Sequence, residues 1–118
     1  EPFVCGYVHL SGAWSGTVII YCSETLARQI ASNVFDIDPF VATEEDIEDT
    51  VGELANIIGG NIKSLLPQPT EISMPMVEFD FEYHTVSAST KTLSDVSITS
   101  MGRQFRVLLM QKDRHDGE

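Results

Sequence analysis

Two polar residues three positions apart, Glu53 and Asn56, have the chemistry and the spacing of a working pair. Residues at positions i and i+3 of a helix are neighbours on its surface. A carboxylate can make a charge-assisted contact with a cation, and an amide can donate and accept hydrogen bonds at once. The pair could therefore make polar contacts with a partner.

A long amphipathic helix over residues 44–66 is predicted to position this pair. Thr43 is a good N-cap, and Pro67 is expected to end the helix. At about 100° per residue, an apolar stripe occupies about a third of the circumference and is expected to face the core. The stripe contains Ile47, Val51, Leu54, Ala55, Ile58, Ile62 and Leu65. Measured from the first residue of the stripe, Glu53 falls at about 240° and Asn56 at about 180°, so both are predicted to be exposed.

The outward face of this helix is predicted to carry four further residues for partner binding: Asp49, Gly52, Gly60 and Lys63. Gly59 lies at its margin. Glycines in a helix interior cost about 1 kcal/mol each relative to alanine, so they indicate close approach of another backbone. That backbone belongs either to a docking partner or to another element of the same domain. Asp49 fits a helix-face or partner-contact residue, and Lys63 is also typical of a cation at a helix C-terminus.

The remaining patterns predict one more helix and five strands. The helix covers residues 24–35, behind Ser23 as its N-cap. The strands are predicted at residues 3–10, 15–22, 77–84, 96–99 and 105–110, with a turn at 101–103. The order of elements predicts a single α+β domain over residues 1–118, a mostly antiparallel sheet packed against two long helices. Residues 113–118 are expected to be a frayed tail.

Charge excludes one class of partner. The 118 residues contain 7 Lys and Arg against 18 Asp and Glu, a net charge of −11, whereas nucleic-acid binding needs clustered basic residues. The acids are concentrated in residues 41–56. They could steer a positively charged partner surface, or they could form a solvated face at the N-terminus of a helix.

Cysteine, histidine and hydropathy patterns predict no cofactor bound by this chain. Cys5 and Cys22 lie in apolar runs and are expected to be free buried thiols and not a disulfide. His9, His84 and His115 are isolated in the sequence, so no metal site is predicted. The sequence shows no apolar run near the ~20 residues that span a membrane and no signal-peptide pattern, and we expect a cytoplasmic protein without a membrane partner.

The spacing Asp49-x3-Glu53-x2-Asn56 resembles the signature of the CheC, CheX and FliY phosphatases, in which Asp or Ser is followed by Glu and then Asn. Residues 60–66 (GNIKSLL) are similar to the same helix in CheX-type members. So is the hairpin over residues 12–18 running into residues 22–31. The resemblance covers most of residues 4–66 and, more loosely by strand pattern, the remainder. The first helix has no second copy of the signature, and a single copy is typical of CheX-type members.

This resemblance implies a phosphatase that acts on the phospho-aspartate of a CheY-type response regulator. In such enzymes the Glu contacts the active-site Lys of the regulator and the Asn orients the attacking water. These roles fall on Glu53 and Asn56. The regulator supplies Mg²⁺, and CheX-type members form homodimers through their sheets.

Two other interpretations share the same fold. One is a non-catalytic module that binds a receiver domain or a flagellar-switch component. The other is a dimerising regulatory domain of a longer signalling protein, whose glycine-rich helix face would pack on its own partner. The presence of both Glu53 and Asn56 favours the enzyme over these two.

Overall fold

The computed structural model describes residues 2–79, 90–100 and 102–112. In chain order, two helices and a short 3-10 helix (Pro39–Val41) come after the second strand and before the third, and all the described strands belong to one sheet. The strands are β1 (Phe3–Gly12), β2 (Gly16–Ser23), β3 (Thr70–Ile72), β4 (Met76–Phe79), β5 (Thr90–Ser100) and β6 (Arg103–Lys112). The helices are α1 (Glu24–Phe35) and α2 (Glu44–Lys63).

All pairings among the described strands are antiparallel, in the order β3, β1, β2, β6, β5. The short strand β4 also pairs with β1, so β3 and β4 occupy successive stretches of the same edge of β1. Both helices pack on this sheet, and the predicted α+β fold is confirmed. No helix within the described ranges is long and apolar enough to cross a membrane.

The first helix forms where its capping residues predict it. The Ser23 side chain accepts a hydrogen bond from the Leu26 amide at 3.1 Å. Asp36 adopts a left-handed conformation after the last turn, and its amide bonds to the Ser32 carbonyl. The prediction of a helix over residues 24–35 is confirmed.

The core has two parts because alternate residues of a strand face opposite sides of the sheet. The larger part lies under the helices and includes Val8, Ile20 and Leu26. A smaller part on the far side contains Cys5, Ile19, Leu108 and Met110. The sheet separates the two cores.

The two cysteines lie on opposite sides of this sheet. In the register of β1 and β2, Cys5 is opposite Tyr21, whereas Cys22 is opposite Val4. Val4 precedes Cys5 in the chain and therefore faces the other side of the sheet. Both thiols are free and buried, as predicted. Burial raises the pKa of each to about 12, with a smaller contribution at Cys5 from the negative charge of Glu78. Raised pKa values make both thiols poor nucleophiles.

Several strands differ from prediction in length. The short strand β3 was not predicted, because its three residues are too few to show a period. The strand predicted over residues 77–84 is confirmed to Phe79, and its remainder lies outside the described residues. The last two strands are longer than predicted. Gly102 takes a positive φ of 73° in the predicted turn between them, while Met101 and the predicted tail 113–118 lie outside the described residues.

Candidate functional site

Helix α2 carries the candidate site, and its first turn is fixed by a capping box. Thr43 accepts a hydrogen bond from the Asp46 amide at 3.1 Å, and the Asp46 carboxylate accepts one from the Thr43 amide at 2.9 Å. The shorter Asp side chain therefore closes the box at a position where Glu or Gln is usual. Three acids in the first turn also complement the positive end of the helix dipole.

The inner face of α2 lies unusually close to β1. Ile47, Val51 and Ala55 are buried. A Cβ added at Gly6 of β1 would lie 2.8 Å from Val51 Cγ1 and 2.9 Å from the Val51 carbonyl oxygen. Glycine at this point of the strand thus permits the helix backbone to approach, and the approach sets the height of α2 above the sheet.

The predicted core stripe holds along the helix except at its last member. Leu65 is 85% exposed. The helix ends at Lys63, one turn earlier than predicted, and the Leu65 and Leu66 amides bond to carbonyls only three residues back. The 100° rotation per residue stops there, so Leu66 packs against the core in place of Leu65. The prediction that Leu65 faces the core is wrong.

Glu53 and Asn56 both have exposed side chains on the side of α2 away from the sheet. Neither has a hydrogen bond or an ion pair with any residue in the described part of the chain. Their functional groups are therefore available to an incoming partner. Asp49, one turn before Glu53, is exposed as well.

The exposed face also carries an apolar residue that sequence reasoning missed. Ile57 lies one turn after Glu53 and is 51% exposed. The signal was present, because Ile57 falls outside the apolar stripe by its angular position. Lys63 is half-buried at the end of the helix, where its backbone carbonyl accepts a hydrogen bond from the Gln68 side chain at 2.7 Å. This position matches a cation at a helix C-terminus.

The three glycines of α2 have three different surroundings. Gly52 is buried, and a Cβ there would lie 3.5 Å from Val77 Cγ2, so the prediction that it lies on the outward face is wrong. A Cβ at Gly59 would lie 2.4 Å from Val8 Cγ2, so Gly59 packs within its own domain. A Cβ at Gly60 would meet none of the described residues within 4 Å. Only the last of the three opens space beside Glu53 and Asn56.

No metal site is found within the described ranges, where no group of three or more His, Cys, Asp or Glu residues is arranged to hold an ion. His9 Nδ1 lies 3.1 Å from the Thr17 hydroxyl on the exposed side of the hairpin. His84 and His115 lie outside the described residues.

The sequence of this chain matches one known protein family. Residues 4–98 match the family model described as chemotaxis phosphatase CheX. The chain belongs to the CheX family. The match spans both helices, the signature on α2 and most of the sheet. No curated protein matches the chain.

Solved structures of CheX-type proteins have the same fold. In a CheX–CheY–BeF3–Mg²⁺ complex from Borrelia burgdorferi, the similar chain is 24% identical with a TM-score of 0.78, over 92% of this chain and 76% of that one. A chemotaxis protein CheX from Vibrio vulnificus is 23% identical with a TM-score of 0.68, over 90% and 73%. A CheC-like chemotactic protein from Shewanella oneidensis is 25% identical with a TM-score of 0.65, over 92% and 73%.

Proposed function

We propose that this CheX-family chain removes the phosphoryl group from the phospho-aspartate of a CheY-type response regulator. The observation that carries the proposal is that Glu53 and Asn56 are exposed on α2, without a partner among the described residues, at the signature spacing of the family. Asn56 orients the attacking water, and Glu53 contacts the active-site Lys of the regulator. The similar CheX from Borrelia burgdorferi was solved together with CheY, BeF3 and Mg²⁺, which supports a partner of this type.

The reaction suits a site that supplies one amide and one carboxylate. Water attacks the phosphorus, a new P–O bond forms, and the bond to the aspartyl oxygen breaks. The products are inorganic phosphate and the free aspartate, with one proton released to solvent. Phosphoryl transfer of this kind depends mainly on positioning and on charge stabilisation, and less on a strong base. The Asn56 amide can accept from the water and donate to a phosphoryl oxygen at once.

The regulator supplies the other parts of the active site. It carries the phosphorylated aspartate, the Mg²⁺ ion and the Lys ammonium that neutralise developing charge. Glu53 reaches that ammonium with a charge-assisted bond, which strengthens as the interface loses water. The chain therefore completes the active site of its partner and needs no cofactor of its own.

Neighbouring residues of α2 form the rest of the docking face. Asp49 and Lys63 are placed as polar contacts at either end, and Gly60 leaves room for the regulator between them. Gly52 is buried beside Val77 of β4, so it lies outside this docking face. We propose in addition that the chain forms a homodimer through its sheet, as CheX-type members do.

The decisive experiment compares wild type with Asn56→Ala. Each CheY-type regulator encoded in the same genome is phosphorylated, and the decay of its phospho-aspartate is followed with and without the chain. Wild type is expected to accelerate the decay of at least one regulator. Asn56→Ala is expected to lower kcat about 100-fold or more, because removing one positioning group at a site of this type costs about 2.7–4 kcal/mol.

Asn33→Ala on α1 is the matched control, since it removes an exposed Asn outside the signature. It should keep wild-type activity. No acceleration by wild type with any regulator would exclude the enzyme and leave the binding module. Equal acceleration by wild type and Asn56→Ala would place the site elsewhere.

A further inference from the structure

The segment that joins β3 to β4 follows α2 on the side where Asn56 lies. Ile72 reaches Gly59, with its Cδ1 atom 3.3 Å from the position of a Cβ there. Pro75 reaches Gly52, with its Cβ and Cγ atoms 3.8 Å from a Cβ at that glycine. The two glycines are seven positions apart, which is about 10.5 Å along the helix, and the three positions from Ile72 to Pro75 span about 10 Å of extended chain. The segment therefore runs antiparallel to the helix between these two contacts.

Asn56 lies midway between the two glycines, four residues after Gly52 and three before Gly59. By helical rotation it is about 40–60° from the line through them, turned toward solvent. The middle of the flanking segment, residues 73 and 74, therefore lies at the height of Asn56 along the helix. Both glycines are buried beside this segment. A Cβ at Gly59 would press on Ile72, whereas a Cβ at Gly52 would make ordinary contact with Pro75.

Met74 projects into solvent from this segment, and its backbone is held on both sides. It is 84% exposed. Before it, the Ser73 amide donates to the His9 carbonyl at 2.9 Å, and the Ser73 hydroxyl accepts from the His9 amide at 2.9 Å while donating to the Met74 carbonyl at 3.0 Å. After it, Pro75 packs on α2. A large apolar side chain thus stands exposed on an anchored backbone.

We propose that Met74 is a docking residue for the phosphorylated receiver domain, contacting an apolar patch of that domain beside its phospho-aspartate. This inference rests on the proposed function of Glu53 and Asn56. It adds the segment between β3 and β4 to the docking face of α2. Three features select the receiver as the occupant. The residue borders the helix face at the height of Asn56, Gly60 leaves that face open, and the acids of α2 favour a partner with a basic rim.

The division of labour follows from the chemistry of each group. Charged contacts such as that of Glu53 orient the partner, while an apolar side chain that becomes buried supplies affinity. The flexible thioether of methionine adapts to an irregular surface. Met74 should therefore affect the binding of the receiver and leave the chemical step unchanged.

The test measures KM and kcat for wild type, Met74→Ala and Met74→Leu with the receiver that wild type dephosphorylates. It also measures the affinity of each protein for the same receiver loaded with beryllium fluoride and Mg²⁺. Met74→Ala should raise KM and Kd about 5- to 20-fold with kcat within about twofold of wild type, part of the effect of burying one methionine. Met74→Leu should restore most of the affinity.

Phe40→Ala is the matched control, because Phe40 is 95% exposed but comes before α2, whose first residue lies about 18 Å from Asn56 along the helix. It should match wild type in both measurements. Unchanged KM and Kd in Met74→Ala, beside an active wild type that depends on Asn56, would overturn the Met74 contact alone. A drop in kcat without a change in Kd would overturn it too. Failure of wild type to bind or dephosphorylate any receiver would overturn both proposals.

Discussion

Glu53 and Asn56 differ in what they can contribute at the scale of single residues. Both side chains are exposed on one surface of α2, about 60° apart by helical rotation. The carboxylate carries a full charge but cannot donate a hydrogen bond, so it can hold an ammonium and not a phosphoryl oxygen. The amide is neutral and can both donate and accept hydrogen bonds, so it can enter a negatively charged acyl-phosphate site without repulsion. The pair thus separates anchoring from positioning.

Glu53→Gln tests this separation, because it keeps the shape of the side chain and removes its charge. We expect KM to rise about 10-fold or more, since removing one partner of a fully desolvated charge pair costs up to about 2–5 kcal/mol. The value of kcat should change much less than in Asn56→Ala. Steady-state kinetics with the phosphorylated regulator at several salt concentrations would measure both. A Glu53→Gln variant with normal KM and a lowered kcat would reverse the assigned roles.

At the scale of elements, close contact between α2 and β1 explains the glycines that helix propensity disfavours. Gly6 on the strand and Gly59 on the helix are the points of approach. Val8 Cγ2, the atom that a Cβ at Gly59 would meet first, belongs to a fully buried and β-branched residue, so it has little freedom to move. Gly60, the next residue, faces open space among the residues that the structure describes. Adjacent glycines therefore serve different purposes, one for packing and one for the docking face.

Alanine at these two positions should have opposite effects on stability. Gly60→Ala is expected to raise the free energy of unfolding by about 0.5–1 kcal/mol, the ordinary gain in helix propensity. Gly59→Ala is expected to lower it by about 1–3 kcal/mol, because its Cβ overpacks the contact with Val8. Urea unfolding of both variants beside wild type measures the difference. Equal stabilisation by the two substitutions would contradict the close packing of α2 on β1.

At the scale of the whole molecule, the described sheet ends in a long strand with little cover. Residues 91–100 of β5 are exposed. Val96 and Ile98 pair with Val107 and Phe105, which pack against the core under the helices, so they extend that apolar face beyond the helices. We propose that this chain forms one domain and that a second copy covers the extension in a homodimer.

A charge on this strand should test the dimer. Val96→Lys is expected to lower the dimer fraction at least 10-fold in light scattering, because burying an unpaired ammonium in an apolar contact is costly. Thr99→Lys adds the same charge to the opposite face of β5 and should have a smaller effect. A wild type that stays monomeric at about 100 µM, or a Val96→Lys variant that dimerises normally, would count against this interface. Circular dichroism of both variants checks that the fold is kept.

The sequence alone determined the parts of the site that depend on local chemistry. The period of apolar residues in α2 and its capping residue Thr43 predicted where the helix begins and which way Glu53 and Asn56 point, and both predictions hold. These features follow from the geometry of a helix whatever packs around it. The signature likewise indicated the CheX family, which the family match confirms.

Only the tertiary structure decided what surrounds that pair. Helical rotation predicted Gly52 on the outward face and Gly59 at its margin, because it contains no information about which element covers that side of the helix. The strands β3 and β4 do so, and they bury both glycines while leaving Gly60 open. The same packing brings Met74 from eighteen residues away in the sequence to the height of Asn56. Contacts between residues far apart in the chain depend on how the elements assemble, which the local pattern of α2 does not specify.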